Sequence, residues 1–269
     1  MIKKPSDEAR RRYADYIKDY KNAIDAVLEK EKGLKEQIGA GMEGAAFKRL
    51  ELAEDNLNLV AQYLVMNSLS ISFLGVKNEA YLNEGRKCIY KALIYLEEIV
   101  SPLVDAPFAD YEAGLETIAT FSYEDRYNLV RKLGFTIDSL VEGYGENSKW
   151  KWSFVELEGR FAVVTKNLIN LKTFVSGMDP RVEGFSARMA HLGLARELLQ
   201  QAADRYREKY ELSTLRIDDI KAGINFLAAV RRLHVVLGES EHADVVKKKA
   251  DIWRTKMEND LKKAETTKK

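Results

Sequence analysis

The sequence predicts an all-α protein, and three observations carry that expectation. Only four prolines (Pro5, Pro102, Pro107 and Pro180) interrupt 269 residues. Between them apolar residues recur every three or four positions, the period of a helix with one buried face. No run alternates convincingly with the period of two that marks a half-buried strand. Proline lacks a backbone N–H and clashes with the preceding turn, so a chain this poor in proline has few enforced helix stops. The pattern resolves into eight or nine mostly antiparallel amphipathic helices, forming a helical array or two packed bundles.

Taken in order, Ser6 followed by Asp7 and Glu8 caps a first helix with the stripe Tyr13, Ile17, Tyr20, Ile24, Val27/Leu28, Leu34 and Ile38. Gly39, Gly41 and Gly44 mark a turn, and Phe47, Leu50, Leu57, Val60, Leu64, Ile71 and Leu74 carry a second helix to Gly75. Asn78 caps a third, which stops near Pro102. The stretch 101–120 breaks the rhythm and holds a short helix over about 108–118. Ser122, three residues before Asp125, opens a helix closed by Gly143 and Gly145. A long helix is expected over about 149–176, another from Arg181 or Ser186 to Glu211, and two more over about 216–237 and 240–264.

The lapse around Pro102 and Pro107 separates an N-terminal three-helix part, 1–104, from a C-terminal helical part, 105–269, expected to be packed as one continuous helical unit. The latter ends in a Lys/Thr-rich tail, 264–269, expected to be disordered. Repeats of the tetratricopeptide type fail: Ala195, Leu199 and Ala202 fit one helix of such a unit, but no segment recurs at the required period.

The 46% hydrophobic and 32% charged content, with a mean hydropathy of −0.34, suits helices that each bury one stripe. Forty-three basic residues nearly cancel 42 acidic ones, so no global field draws the chain to nucleic acid or anionic lipid. The N-terminus has a short basic patch with no apolar core behind it, which does not match a secretory signal; a cytoplasmic protein is expected. The apolar window Leu57–Val76 holds Asn58, Gln62, Asn67 and three serines, too polar for a lipid-facing span, so no membrane insertion is expected. Cys88, the only cysteine, lies in a helical apolar pattern and has the setting of a small core residue.

Chemistry-bearing motifs are sparse. Glu239 and His242 have the Glu-x-x-His spacing of a carboxylate-bridged metal bundle, but such a site needs a second copy. Arg188 and Arg231 stand where it would require glutamates before His191 and His234. Ser240 and Glu241 suit a helix start there, and no metal or cofactor is expected. The Gly39–Gly44 run lacks the lysine and hydroxyl of a phosphate loop. Basic clusters at Arg10–Arg12, Arg231–Arg232 and Lys247–Lys249 fit solvated helical faces better than a nucleic-acid surface.

Two features remain. Tyr144, Trp150 and Trp152 surround a turn, and residues two apart on a helix diverge, which makes Trp150 a candidate exposed aromatic anchor. Asn58, Gln62, Asn67 and Ser68, with Asn167 and Asn170, place polar groups, mostly amides, inside apolar stripes and form a candidate ligand set. The leading expectation is a non-enzymatic interaction or scaffold protein that binds a protein partner or itself through a helical surface. An enzyme or ligand binder built on the scattered amides is the alternative, and nucleic-acid binding through the basic clusters is the third.

Overall fold

A computed structural model describes residues 5–145 and 149–267. Its backbone is 83% helical with no strand among the described residues, in ten α-helices of which eight have seven or more residues. They are α1 (Asp7–Gly39), α2 (Ala45–Leu74), α3 (Glu79–Glu97), α4 (Glu112–Thr117), α5 (Tyr123–Tyr144), α6 (Lys151–Asn167), α7 (Leu171–Phe174), α8 (Phe185–Lys209), α9 (Ile217–Val236) and α10 (Ser240–Thr267). The chain divides into two compact units that interleave along the sequence. The first runs to Ile99 and adds Glu116–Thr120 and Asn128–Trp150; the second comprises Val100–Leu115, Phe121–Tyr127 and the chain from Lys151.

In the first unit α2 packs on both α1 and α3. The expected caps are in place: Ser6 Oγ accepts the Ala9 N–H, and Asn78 Oδ1 accepts those of Ala80 and Tyr81. Gly75, at φ 67°, closes α2. The inward edge of α1 is narrower than its apolar stripe, with Ile17, Ile24 and Glu31 buried. Glu31 accepts hydrogen bonds from the Tyr95 hydroxyl (2.7 Å) and Lys91 Nζ (2.9 Å) of α3. Burial pushes its carboxyl up, but those two donors outweigh it and hold the group below the usual carboxylate range. Cys88 is buried on α3, and burial raises its thiol to about 12, so it stays protonated at neutral pH.

In the second unit α6 packs on α8, α8 on α9 and α9 on α10. Their shared core includes Ala162, Leu199, Ala203, Ile220, Phe226, Leu227 and Trp253. A Cβ on Gly223 would stand 3.0 Å from the Ala203 carbonyl oxygen and 3.2 Å from the Trp253 ring, so α8, α9 and α10 converge where only glycine fits.

Four local expectations need correction. The helix expected over 149–176 breaks, because Asn170 Oδ1 takes the N–H groups of Lys172 and Thr173 and starts α7 anew. The 108–118 helix divides into a 3₁₀ turn, Phe108–Asp110, and α4. α8 ends not in a simple cap but in a π-helical turn, Tyr210–Thr214. α10 runs on to Thr267, since no glycine or proline stops it at 264; Lys268 and Lys269 of the expected tail lie outside the described residues.

Adding a methyl group at Gly223 should therefore cost stability although alanine is the better helix former. Gly223→Ala is expected to lower unfolding free energy by about 1–3 kcal/mol through overpacking. Gly33→Ala on α1, where nothing lies within 4 Å, should raise it by about 0.5–1 kcal/mol. Urea unfolding of the two variants measures both signs.

Candidate functional site

A groove of about 480 Å³ opens in the second unit where the end of α8 meets the C-terminal half of α10. Its walls are Tyr210, Leu215, Ile217 and Leu261, and its rim carries Lys256 and Asp260, with Glu211 and Lys263 beside them. The π turn builds it. The Leu215 N–H reaches back five residues to the Tyr210 carbonyl (3.0 Å), which widens the last turn of the helix. Leu215 then adopts φ 52°, the one described non-glycine residue in the left-handed region, a conformation that costs a branched-chain residue about 1 kcal/mol or more.

A buried carboxylate holds that conformation. Asp219, in the first turn of α9, accepts a hydrogen bond from Thr214 Oγ1 (2.6 Å) and pairs with Lys209 Nζ (2.9 Å), clamping both ends of the π turn. The result leaves Leu215 71% exposed, beside an equally exposed Leu212.

The polar rim is engaged within the fold. The Tyr210 hydroxyl donates to Asp260 Oδ2 (2.8 Å), Lys256 lies 3.2 Å from the same carboxylate, and Arg207 donates to Glu211 (3.0 Å). Burial, then the hydrogen bond to Asp260, raises the Tyr210 hydroxyl to about 12, while that hydroxyl and Lys256 lower Asp260. A phenol this reluctant to ionise is a poor base or nucleophile at neutral pH, and the groove offers mainly apolar contact.

The residues singled out in the sequence go elsewhere. Tyr144 is buried rather than a surface feature: its hydroxyl donates to Asn83 Oδ1, and its carbonyl accepts from Lys77 Nζ. Trp150 is half-buried, with the Arg86 guanidinium 4.2 Å over its ring and Tyr144 edge-on at 6.2 Å, so the expected exposed anchor is packed. Trp152 is half-buried too and belongs to the second unit. Glu146, Asn147 and Ser148 of that segment lie outside the described residues.

The amides separate as well. Asn58, Gln62 and Asn67 are in the first unit, Asn167 and Asn170 in the second. Asn58 is exposed and Gln62 half-buried. Asn67 Oδ1 accepts the Asn78 N–H (2.8 Å), and Ser70 Oγ donates to the Val76 carbonyl; together they hold the turn between α2 and α3. Asn167 donates to the carbonyls of Ser101 and Leu103, and Asn170 caps α7. Each amide that has a partner serves the backbone. α2 is also the one described helix long and apolar enough to cross a membrane by length and composition.

Two arrangements escaped the sequence. Lys166 is buried at the end of α6, 5.8 Å from the Tyr111 ring centroid, and burial lowers its ammonium to about 8. His234, Glu239 and His242 meet at the α9–α10 turn and are the three described residues that could jointly hold a metal ion. Glu-x-x-His spacing flagged only two of them; the third donor comes from the preceding helix.

A family model matches residues 9–261, nearly the whole chain. The chain belongs to the TP0443 family. No curated protein and no solved structure matches it. In this TP0443 family member the groove and the histidine cluster both lie in the second unit.

Asp219 is the part of the site most open to test by stability. Replacing it with alanine leaves Lys209 and Thr214 without their acceptor and should cost about 1–3 kcal/mol. Relaxation of the π turn should appear in the same variant as faster amide exchange at Leu215, measured by hydrogen exchange.

Proposed function

We propose that the protein is a non-enzymatic helical interaction protein whose second unit receives an amphipathic helix of a partner protein in the Tyr210–Leu261 groove. The observation that carries this reading is Leu215, an apolar side chain held outward beside the groove by a strained backbone that Asp219 and Thr214 maintain. Strain sustained by buried partners is a recurrent mark of functional segments. A groove of this volume suits a few apolar side chains presented from one helix face.

Charge does not select the partner. Glu211 and Asp260 balance Lys256 and Lys263 around the groove and already hold Arg207, Tyr210 and Lys256, so apolar contact carries the recognition.

Leu215→Asn tests the reading because asparagine tolerates the left-handed conformation and removes the apolar contact. Its melting midpoint should equal or exceed the parent's, while affinity for the partner falls about tenfold or more. The partner is identified by a photo-crosslinking side chain placed at position 215 and sequencing of the crosslinked peptide. A peptide with apolar residues at helical spacing, lost when Leu261→Asp is added, supports the proposal. Crosslinks no stronger than from position 135, where Phe135 is 74% exposed in the first unit, or crosslinks only to a second copy of the chain, would contradict it.

A further inference from the structure

The second unit brings two of the chain's three histidines onto one carboxylate. Gly238, at φ 74°, turns the chain between α9 and α10, and the Glu239 N–H donates to the His234 carbonyl (2.8 Å). That return places Glu239 Oε2 2.6 Å from His234 Nδ1. His242, in the first turn of α10, stacks on His234 with ring centroids 5.4 Å apart and planes 18° from parallel. One donor atom from each of the three residues lies within 4.8 Å of the others.

We propose that His234, Glu239 and His242 form a binding site for a divalent transition-metal cation of the zinc type, held by one ring nitrogen from each histidine and one carboxylate oxygen. Two imidazoles and a carboxylate suit a borderline cation, whereas calcium and magnesium prefer an all-oxygen set. Bonds of about 2.0–2.1 Å to a tetrahedral cation set its donors about 3.3 Å apart. The His234–Glu239 contact must open slightly and His242 must close in, which its exposed position on the first turn of α10 permits.

Arg196 on α8 shapes the equilibrium. Its NH2 group lies 2.8 and 2.7 Å from the two Glu239 oxygens, neutralising the carboxylate when no cation is present. Arg196 from α8 and His234 from α9 both donate to Glu239, which fixes its carboxylate between the two helices. A bound cation takes one oxygen from Arg196 and joins α9 to α10.

The test uses the full chain, stripped with a chelator and titrated with zinc by calorimetry and with cobalt by visible absorption. His191 and Cys88 are buried, so imidazole ligation must come from this cluster. The expected result is one saturable site that raises the melting midpoint. His242→Ala should weaken it about tenfold or more, with the chelated midpoint unchanged because His242 is exposed. Arg196→Ala should tighten binding by removing the competitor for Glu239, an effect that two unrelated surface histidines would not produce. Absence of saturable zinc binding, or an isotherm that His242→Ala leaves unaltered, would overturn the proposal.

Discussion

The second unit depends on how α6 ends. Its last turn, Thr165, Lys166 and Asn167, is buried, and the final carbonyls of a helix have no partners within it. A buried carbonyl left alone costs about 1–3 kcal/mol, so donors must come from elsewhere in the chain. His191 Nε2–H donates to the Thr165 carbonyl (2.8 Å), and Arg126 donates from NH1 to that of Leu168 (3.3 Å) and from Nε to that of Phe121. The Asn167 side chain meanwhile ties down the carbonyls of Ser101 and Leu103. One helix end thus fixes α8, the start of α5 and the strand-free segment after Val100.

From that anchor the two candidate sites follow along a single helix. His191 sets α8 against α6; five residues on, Arg196 reaches Glu239, and at the far end the π turn shapes the groove. Gly223 allows α9 to close on the same helix, with Trp253 of α10 against both. The apolar groove and the histidine cluster are therefore features of one layer of packed helices, α8, α9 and α10.

The fold was legible because its boundaries are written in local chemistry. Ser6, Asn78 and Ser122 cap where capping residues are expected, and Gly75 ends α2 as a left-handed glycine should. The break after Asn167 was not, since Val163, Val164 and Leu168 continue a helical period and Arg126 supplies its donor from over forty residues away. Glu31 hid for the same reason: its donors, Lys91 and Tyr95, lie some sixty residues away on α3. The amides looked like a ligand set only while their backbone partners were invisible. Likewise the histidine cluster depends on the Gly238 turn, which brings together donors that a search for paired Glu-x-x-His motifs passes over.

His191 offers the most direct measurement. Burial lowers its imidazole from 6.5 to about 4, opposed only in part by the bond to Thr165. Between those values the unfolded chain binds a proton that the folded chain refuses, so its contribution to stability is present at neutral pH and is lost as pH falls through that range. NMR of the ring nitrogens should find one neutral Nε2–H tautomer that persists to below pH 5, with protonation near 4. A ring that titrates near 6.5, or one that carries its proton on Nδ1, would contradict the capping of α6 from which the rest of the unit is built.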